Sequence, residues 1–141
     1  MIERLCYYCG LSVLRYASMD HIVPRSKGGK STPDNKILSC YYCNLMKGSM
    51  SAAEYRMCLQ NEDWTHERMF VTAAKLRWAV NEFSQVLHRL ESLPPGTSAK
   101  VAKNLRRKIN KLQHRMAVRK FFQRRAIEIH EKYYKSKVDK L

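Results

Sequence analysis

The sequence predicts an α+β protein: a small two-strand module stapled by four cysteines, followed by a basic antiparallel helical hairpin. Three observations predict it. Two Cys-x2-Cys knuckles, Cys6/Cys9 and Cys40/Cys43, bracket a segment holding two stretches of strand formers. Apolar residues from Met69 to Leu90, and again from Val101 to Met116, recur in steps of three and four. Between these runs Pro94-Pro95-Gly96 removes a backbone donor and fixes φ, so one helix must end and another begin.

The first knuckle, Cys6-Tyr7-Tyr8-Cys9-Gly10, reads as a tight turn with two thiols aimed at one centre, and Cys40-Tyr41-Tyr42-Cys43 repeats it. Strands are expected over residues 13–19 and 35–39, joined by the turn-rich residues 26–34. A short helix should run from Cys43 to Lys47, where Gly48 interrupts it. Ser51-Ala52-Ala53-Glu54 is a capping box that starts another helix, ending near Asn61. The seam Met69, Ala73, Leu76, Val80, Phe83, Leu87 and Leu90 predicts a long helix. Thr97 or Ser98 caps its return partner, whose seam is Val101, Leu105, Ile109, Leu112 and Met116. The second helix is expected to outrun the first and to fray near Tyr134.

At 141 residues the chain supports one domain, or a very small domain with an extension, and not two full-sized domains. The division expected is 1–62 for the cysteine module and 63–141 for the helical arm. Lys and Arg number 27 against 12 Asp and Glu, for a net charge of +15 and a pI near 9.9. Residues 97–141 hold 15 of those cations and 3 of the acids. Such an imbalance repels itself unless a polyanion is near. Nucleic acid is the expected partner, and a membrane is not, because no run of about 18 apolar residues exists. The reading is of a cytoplasmic protein. Its five cysteines are then reduced thiols, not a disulfide framework.

Four thiolates in two knuckles suit a tetrahedral, closed, structural Zn²⁺ site formed by Cys6, Cys9, Cys40 and Cys43. Zinc would supply the folding free energy that so small a core lacks. Cys58, outside the knuckles, reads as a small buried apolar residue. His66, His88, His114 and His130 fall on expected helices with no evident ligand partner, so solvated or packing roles are assigned to them.

Inside the zinc frame lie Asp20-His21-Ile22-Val23-Pro24-Arg25-Ser26-Lys27-Gly28-Gly29, then Asn35, then Asn44 directly after Cys43, and Lys47-Gly48. Over residues 6–48 this pattern resembles the HNH endonuclease family in its four-cysteine zinc form, and it is similar to the HNH module of RNA-guided nucleases. The resemblance implies a ββα-metal fold and hydrolysis of DNA phosphodiester bonds, leaving 5′-phosphate and 3′-hydroxyl ends. It assigns His21 as general base, Asp20 and Asn44 as ligands of a catalytic Mg²⁺ or Mn²⁺, and Asn35 as a support that fixes the loop and His21 by hydrogen bonds. Lys47, three residues beyond Asn44 on one helix, is expected to meet a phosphate oxygen, with Arg25 and Lys27 on flanking phosphates.

On the second arm helix, Lys103, Arg106, Arg107, Lys111, Arg115 and Arg119 form part of a continuous cationic run with almost no acidic counterweight. They are expected to track a nucleic-acid backbone independently of sequence. DNA is the leading target and RNA stays open. A homodimer or a protein partner through the arm is the alternative use of that surface. One such site cuts one strand, so a monomer nicks and a dimer could break both strands. Small size with a binding appendage suits a phage or mobile-element enzyme, acting in the host cytoplasm. The rival reading is a catalytically inactive zinc protein that binds nucleic acid, or serves assembly, through the basic arm.

Overall fold

The computed structural model describes residues 3–13 and 15–135. Positions 1–2, 14 and 136–141, which fall within the expected first strand and the 1–62 and 63–141 segments, lie outside the described residues. Two strands and four helices follow in order: β1 (Ala17–His21), β2 (Lys36–Cys40), α1 (Tyr41–Lys47), α2 (Ala52–Leu59), α3 (Glu62–Glu91) and α4 (Ala99–Tyr133). The class is α+β, as the spacing of strand formers and helical seams predicts.

β1 and β2 pair antiparallel, Ala17 opposite Cys40 and His21 opposite Lys36. β1 lies later than expected, because residues 10–13 turn back to close the first knuckle: Cys6 N–H donates to Leu11 O, and Val13 N–H to Arg4 O. β2 runs directly into α1, and Cys40 is the junction. Its sulfur accepts from the Cys43 N–H, so a zinc-type ligand also serves as the N-cap. Ser51 caps α2 through the Glu54 N–H and also donates to the Glu54 carboxylate.

α3 starts at Glu62, earlier than the apolar rhythm implied, because Asn61 accepts from the Trp64 N–H and opens a helix directly after α2. Its deepest positions are Thr65, Thr72, Ala79 and Val86, a strict seven-residue repeat. The expected seam flanks this stripe: Met69, Ala73, Leu76, Phe83, Leu87 and Leu90 are only partly buried beside it. Small residues at the centre let α3 and α4 approach closely, and the larger ones close over the sides. Ser98 caps α4 through the Val101 N–H, as one of the two expected residues.

Two cores result. One joins Cys6, Cys9, Cys40, Cys43, Tyr42, Met46, Tyr55 and Leu59 to Phe121, Phe122, Ile129 and Tyr134 of the α4 end. The other, at the turn end of the hairpin, holds Ala79, Val86, Leu105, Ile109 and Leu112. The α4 end is part of the cysteine core, so packing continues across residues 62 and 63. α4 ends at Tyr133, and the Tyr134 ring just beyond it is buried, its hydroxyl meeting Leu59 O and the Thr65 hydroxyl.

Candidate functional site

Cys6, Cys9, Cys40 and Cys43 are buried, with all four sulfurs within 4.8 Å of one another. The Cys9 to Cys40 separation is 3.9 Å. Metal–sulfur bonds of about 2.3 Å at tetrahedral angles demand edges of roughly 3.8 Å, close to the Cys9–Cys40 separation, so the donor set suits Zn²⁺. The electrostatics agree. Hydrogen bonds from Cys40 and Cys43 pull the Cys6 thiol far below its ordinary value, while burial pushes the Cys43 thiol well above its own. Thiols this close cannot all ionise without a cation at their centre.

The α4 end clamps the first knuckle. Arg125, only 1% exposed, directs one guanidinium nitrogen to Cys9 Sγ at 3.6 Å and another to Ser12 O, and lies over the Phe121 ring at 4.7 Å. Lys132 and Tyr133 both donate to Cys9 O, at 2.7 and 2.9 Å. A positive charge against a thiolate set offsets its negative charge, and such partners orient and tune a metal's ligands. Arg125 thus differs from the exposed cations of the same helix, its guanidinium turned inward onto Cys9 and Ser12.

Strand alternation puts Ser18 and Asp20 on the face of β1 turned to α1, whereas Met19 and His21 face the other way. Across that interface stand Asn44 and Lys47, one helical turn apart on α1. Asn44 donates to the Ser18 hydroxyl at 2.9 Å. Lys47 Nζ sits 3.2 Å from Asp20 Oδ2 and donates to His21 O at 2.9 Å, and Tyr8 donates to the same carboxylate at 2.6 Å. Asp20 and Asn44 therefore occupy adjoining rungs of one interface. The Lys47 ammonium is buried, 1% exposed, between Asp20 and the His21 carbonyl.

His21 ends β1 at the mouth of the loop, its Nε2 3.1 Å from the Ser31 hydroxyl, which also accepts from Arg25 at 2.8 Å. Asn35 grips the loop on both sides, accepting from Val23 N–H and donating to Val23 O and Lys30 O. Among the described residues no bond of its side chain to the His21 ring accompanies these, and Ser31 meets that ring instead. Gly29 is required where it is, because a Cβ there would lie 1.8 Å from Val23 O. Ser31 escapes a reading of the sequence because a serine in a Gly/Ser-rich turn carries no signal of its own.

Of the other cations, Lys27 pairs with Glu54 at 2.8 Å on the surface, and that pairing holds the Glu54 carboxyl below its usual range. Lys103, Arg106, Arg107, Lys111 and Arg115 are exposed on α4, and Arg119 is half-buried. Arg115 lies over Trp78, itself 52% exposed, at 5.6 Å. Both line a cavity of about 370 Å³ between α1 and the hairpin, together with Tyr41, Asn44, Lys75 and His114. A second hollow bounded by Arg107, Lys108 and Lys111 adjoins it through Trp78 and Arg115. Asn44 thus stands at the start of a cationic, partly aromatic track. Among the described residues no helix is long and apolar enough to cross a membrane.

Residues 6–50 match the family model of the HNH endonuclease. No curated protein matches the chain, and no solved structure does. The matched segment contains both knuckles, β1, β2 and α1, and it ties this part of the chain to nuclease-type, nucleic-acid-directed function.

Proposed function

We propose that the chain is a metal-dependent HNH endonuclease that hydrolyses DNA phosphodiester bonds, nicking as a monomer. The observation that carries this reading is the β1–α1 interface, where Asp20 and Asn44 adjoin while His21 leaves the same strand end towards the open loop. The donor types there, a carboxylate and an amide oxygen, fit a hard divalent cation, and Asp20 and Asn44 would hold it. When bound, Mg²⁺ or Mn²⁺ supplies charge neutralisation at the phosphate and stabilises the leaving 3′ oxygen.

His21 takes the proton from the attacking water, its ring held by Ser31, which Arg25 steadies in turn. Lys47 acts as a positioning residue: by bridging Asp20 and the His21 carbonyl it fixes both ends of the Asp-His pair. Asn35 keeps the loop closed around that strand end. Arg25 and Lys27 flank the substrate, and Lys103, Arg106, Arg107, Lys111, Arg115 and Arg119 lie along the backbone track leading from Asn44.

A second reading has one observation in its favour. Asp20 already carries the Lys47 ammonium and the Tyr8 hydroxyl, so its charge is balanced without a divalent ion. On that reading the chain is an inactive zinc protein that binds nucleic acid, or assists assembly, through the hairpin. Supercoiled plasmid separates the two. With Mg²⁺ or Mn²⁺ the zinc-loaded chain nicks it, EDTA stops the reaction, and His21→Ala slows it by about 10²–10⁴-fold. No nicking with any divalent ion, or undiminished nicking by His21→Ala, defeats the enzymatic reading.

A further inference from the structure

Glu62 and His66 lie one turn apart at the start of α3, and His130 comes from the last turns of α4. Ligand atoms of all three fall within 4.8 Å of one another. His130 Nδ1 is 3.9 Å from a Glu62 oxygen, and the two imidazoles face each other at 5.7 Å with planes 25° apart. None of these residues takes part in the cysteine centre or in the Asp20/His21/Asn44 site. From this we infer that Glu62, His66 and His130 form a second metal site, selective for borderline divalent ions such as Zn²⁺, with water in its remaining positions.

The chemistry of the donors sets the ion. Two neutral imidazoles and one carboxylate suit Zn²⁺ and its near relatives Co²⁺ and Ni²⁺, whereas Mg²⁺ prefers oxygen alone. Bonds of about 2.0–2.2 Å bring donor atoms to roughly 3.0–3.5 Å apart, so rotations of the three side chains close the set. The backbone is already fixed for it. Glu62 and His66 share a helix face, and Tyr134, one turn beyond His130, is anchored to Leu59 O and the Thr65 hydroxyl. The site is partly exposed, with side chains at 46% for His130 and 33% for Glu62, and it borders a hollow of about 270 Å³ lined by Tyr42, Met69 and Ile129. An ion can enter and keep water ligands. Bound there, it cross-links the first turns of α3 to the last turns of α4.

The test uses the full chain loaded with one zinc per molecule in its cysteines. Co²⁺ is titrated in and followed by visible absorption and thermal melting. Wild type takes up one further equivalent, giving d–d bands without thiolate-to-metal charge transfer, and its Tm rises with added ion. Glu62→Gln and His130→Ala weaken that second equivalent by more than about tenfold while retaining the cysteine zinc and full helical content. The inference is overturned if wild type binds no second equivalent, if the second equivalent shows thiolate charge transfer, or if a His66→Ala/His130→Ala chain binds it as tightly as wild type. In the last two cases the histidines and Glu62 are only a stacked pair with an ionic neighbour.

Discussion

The two ends of the hairpin are built on different principles. At the root, α4 is buried against the cysteine knuckles through Phe121, Phe122, Ile129 and Tyr134, and polar clamps from Arg125, Lys132 and Tyr133 reach Cys9 and Ser12. At the tip, α3 and α4 pack on each other, over small residues such as Ala79 and Val86. The cations follow the same division: Arg125 is sunk in the root, whereas Lys103, Arg106, Arg107 and Lys111 stand exposed towards the tip. A cation in this helix is thus either a structural partner of the metal-type centre or a surface charge, and position relative to the knuckles decides which.

Zinc removal should break the comparison most severely. A structural zinc contributes about 10–16 kcal/mol, more than a small domain's whole stability, so chelation or Cys40→Ser should unfold the root. Near-UV circular dichroism should collapse while part of the helical signal, from the tip, survives. Phe122→Ala removes a buried ring at the root and should cost about 3–5 kcal/mol in urea unfolding, with zinc released at lower urea. Leu112→Ala, at the tip, should cost about 2 kcal/mol and leave the zinc-release midpoint of the root unchanged. Should both substitutions shift zinc release equally, root and tip are one cooperative unit.

Arg125→Met keeps the aliphatic stem but removes the guanidinium contacts to Ser12 O and Cys9 Sγ. The expected loss is about 1–3 kcal/mol, with zinc affinity down by roughly 10–100-fold in a chelator competition. Smallest in stability is replacement of Lys103, Arg106, Arg107 and Lys111 by Gln, within about 0.5 kcal/mol of wild type. The same variant should flatten the salt dependence of duplex-DNA binding by about 0.9 in logarithmic slope for each phosphate it no longer neutralises, and an unchanged slope would remove the tip from the DNA track.

Much of this was legible from residue type and spacing. Two knuckles specify their own convergence, since four thiols at those intervals have few other uses, and a Pro-Pro-Gly break between two apolar rhythms specifies a hairpin. What escaped did so for physical reasons. The α3 stripe is centred on Thr72 and Ala79, whose weak hydropathy hides a position chosen for close helix approach. Lys47 and Arg125 look like solvent-facing cations, and only the fold reveals the Asp20 carboxylate and the Cys9 sulfur waiting for them. Helical spacing already aligns Glu62 with His66, but a metal set needs a third donor, and His130 arrives from the opposite end of the hairpin. Ser31 contributes one hydroxyl whose value depends wholly on where the loop places it.

The bond from Tyr133 to Cys9 O spans 124 positions of sequence. A growing polypeptide therefore makes both knuckles early, but meets the side chains that cover the first of them only when the end of α4 has left the ribosome. Until then the Cys6–Cys9 turn lacks Arg125, Lys132 and Tyr133, the side chains that contact Cys9 in the folded chain. The cover of the metal-type centre is in this sense translated well after the ligands it covers, because α4 follows both knuckles in the chain.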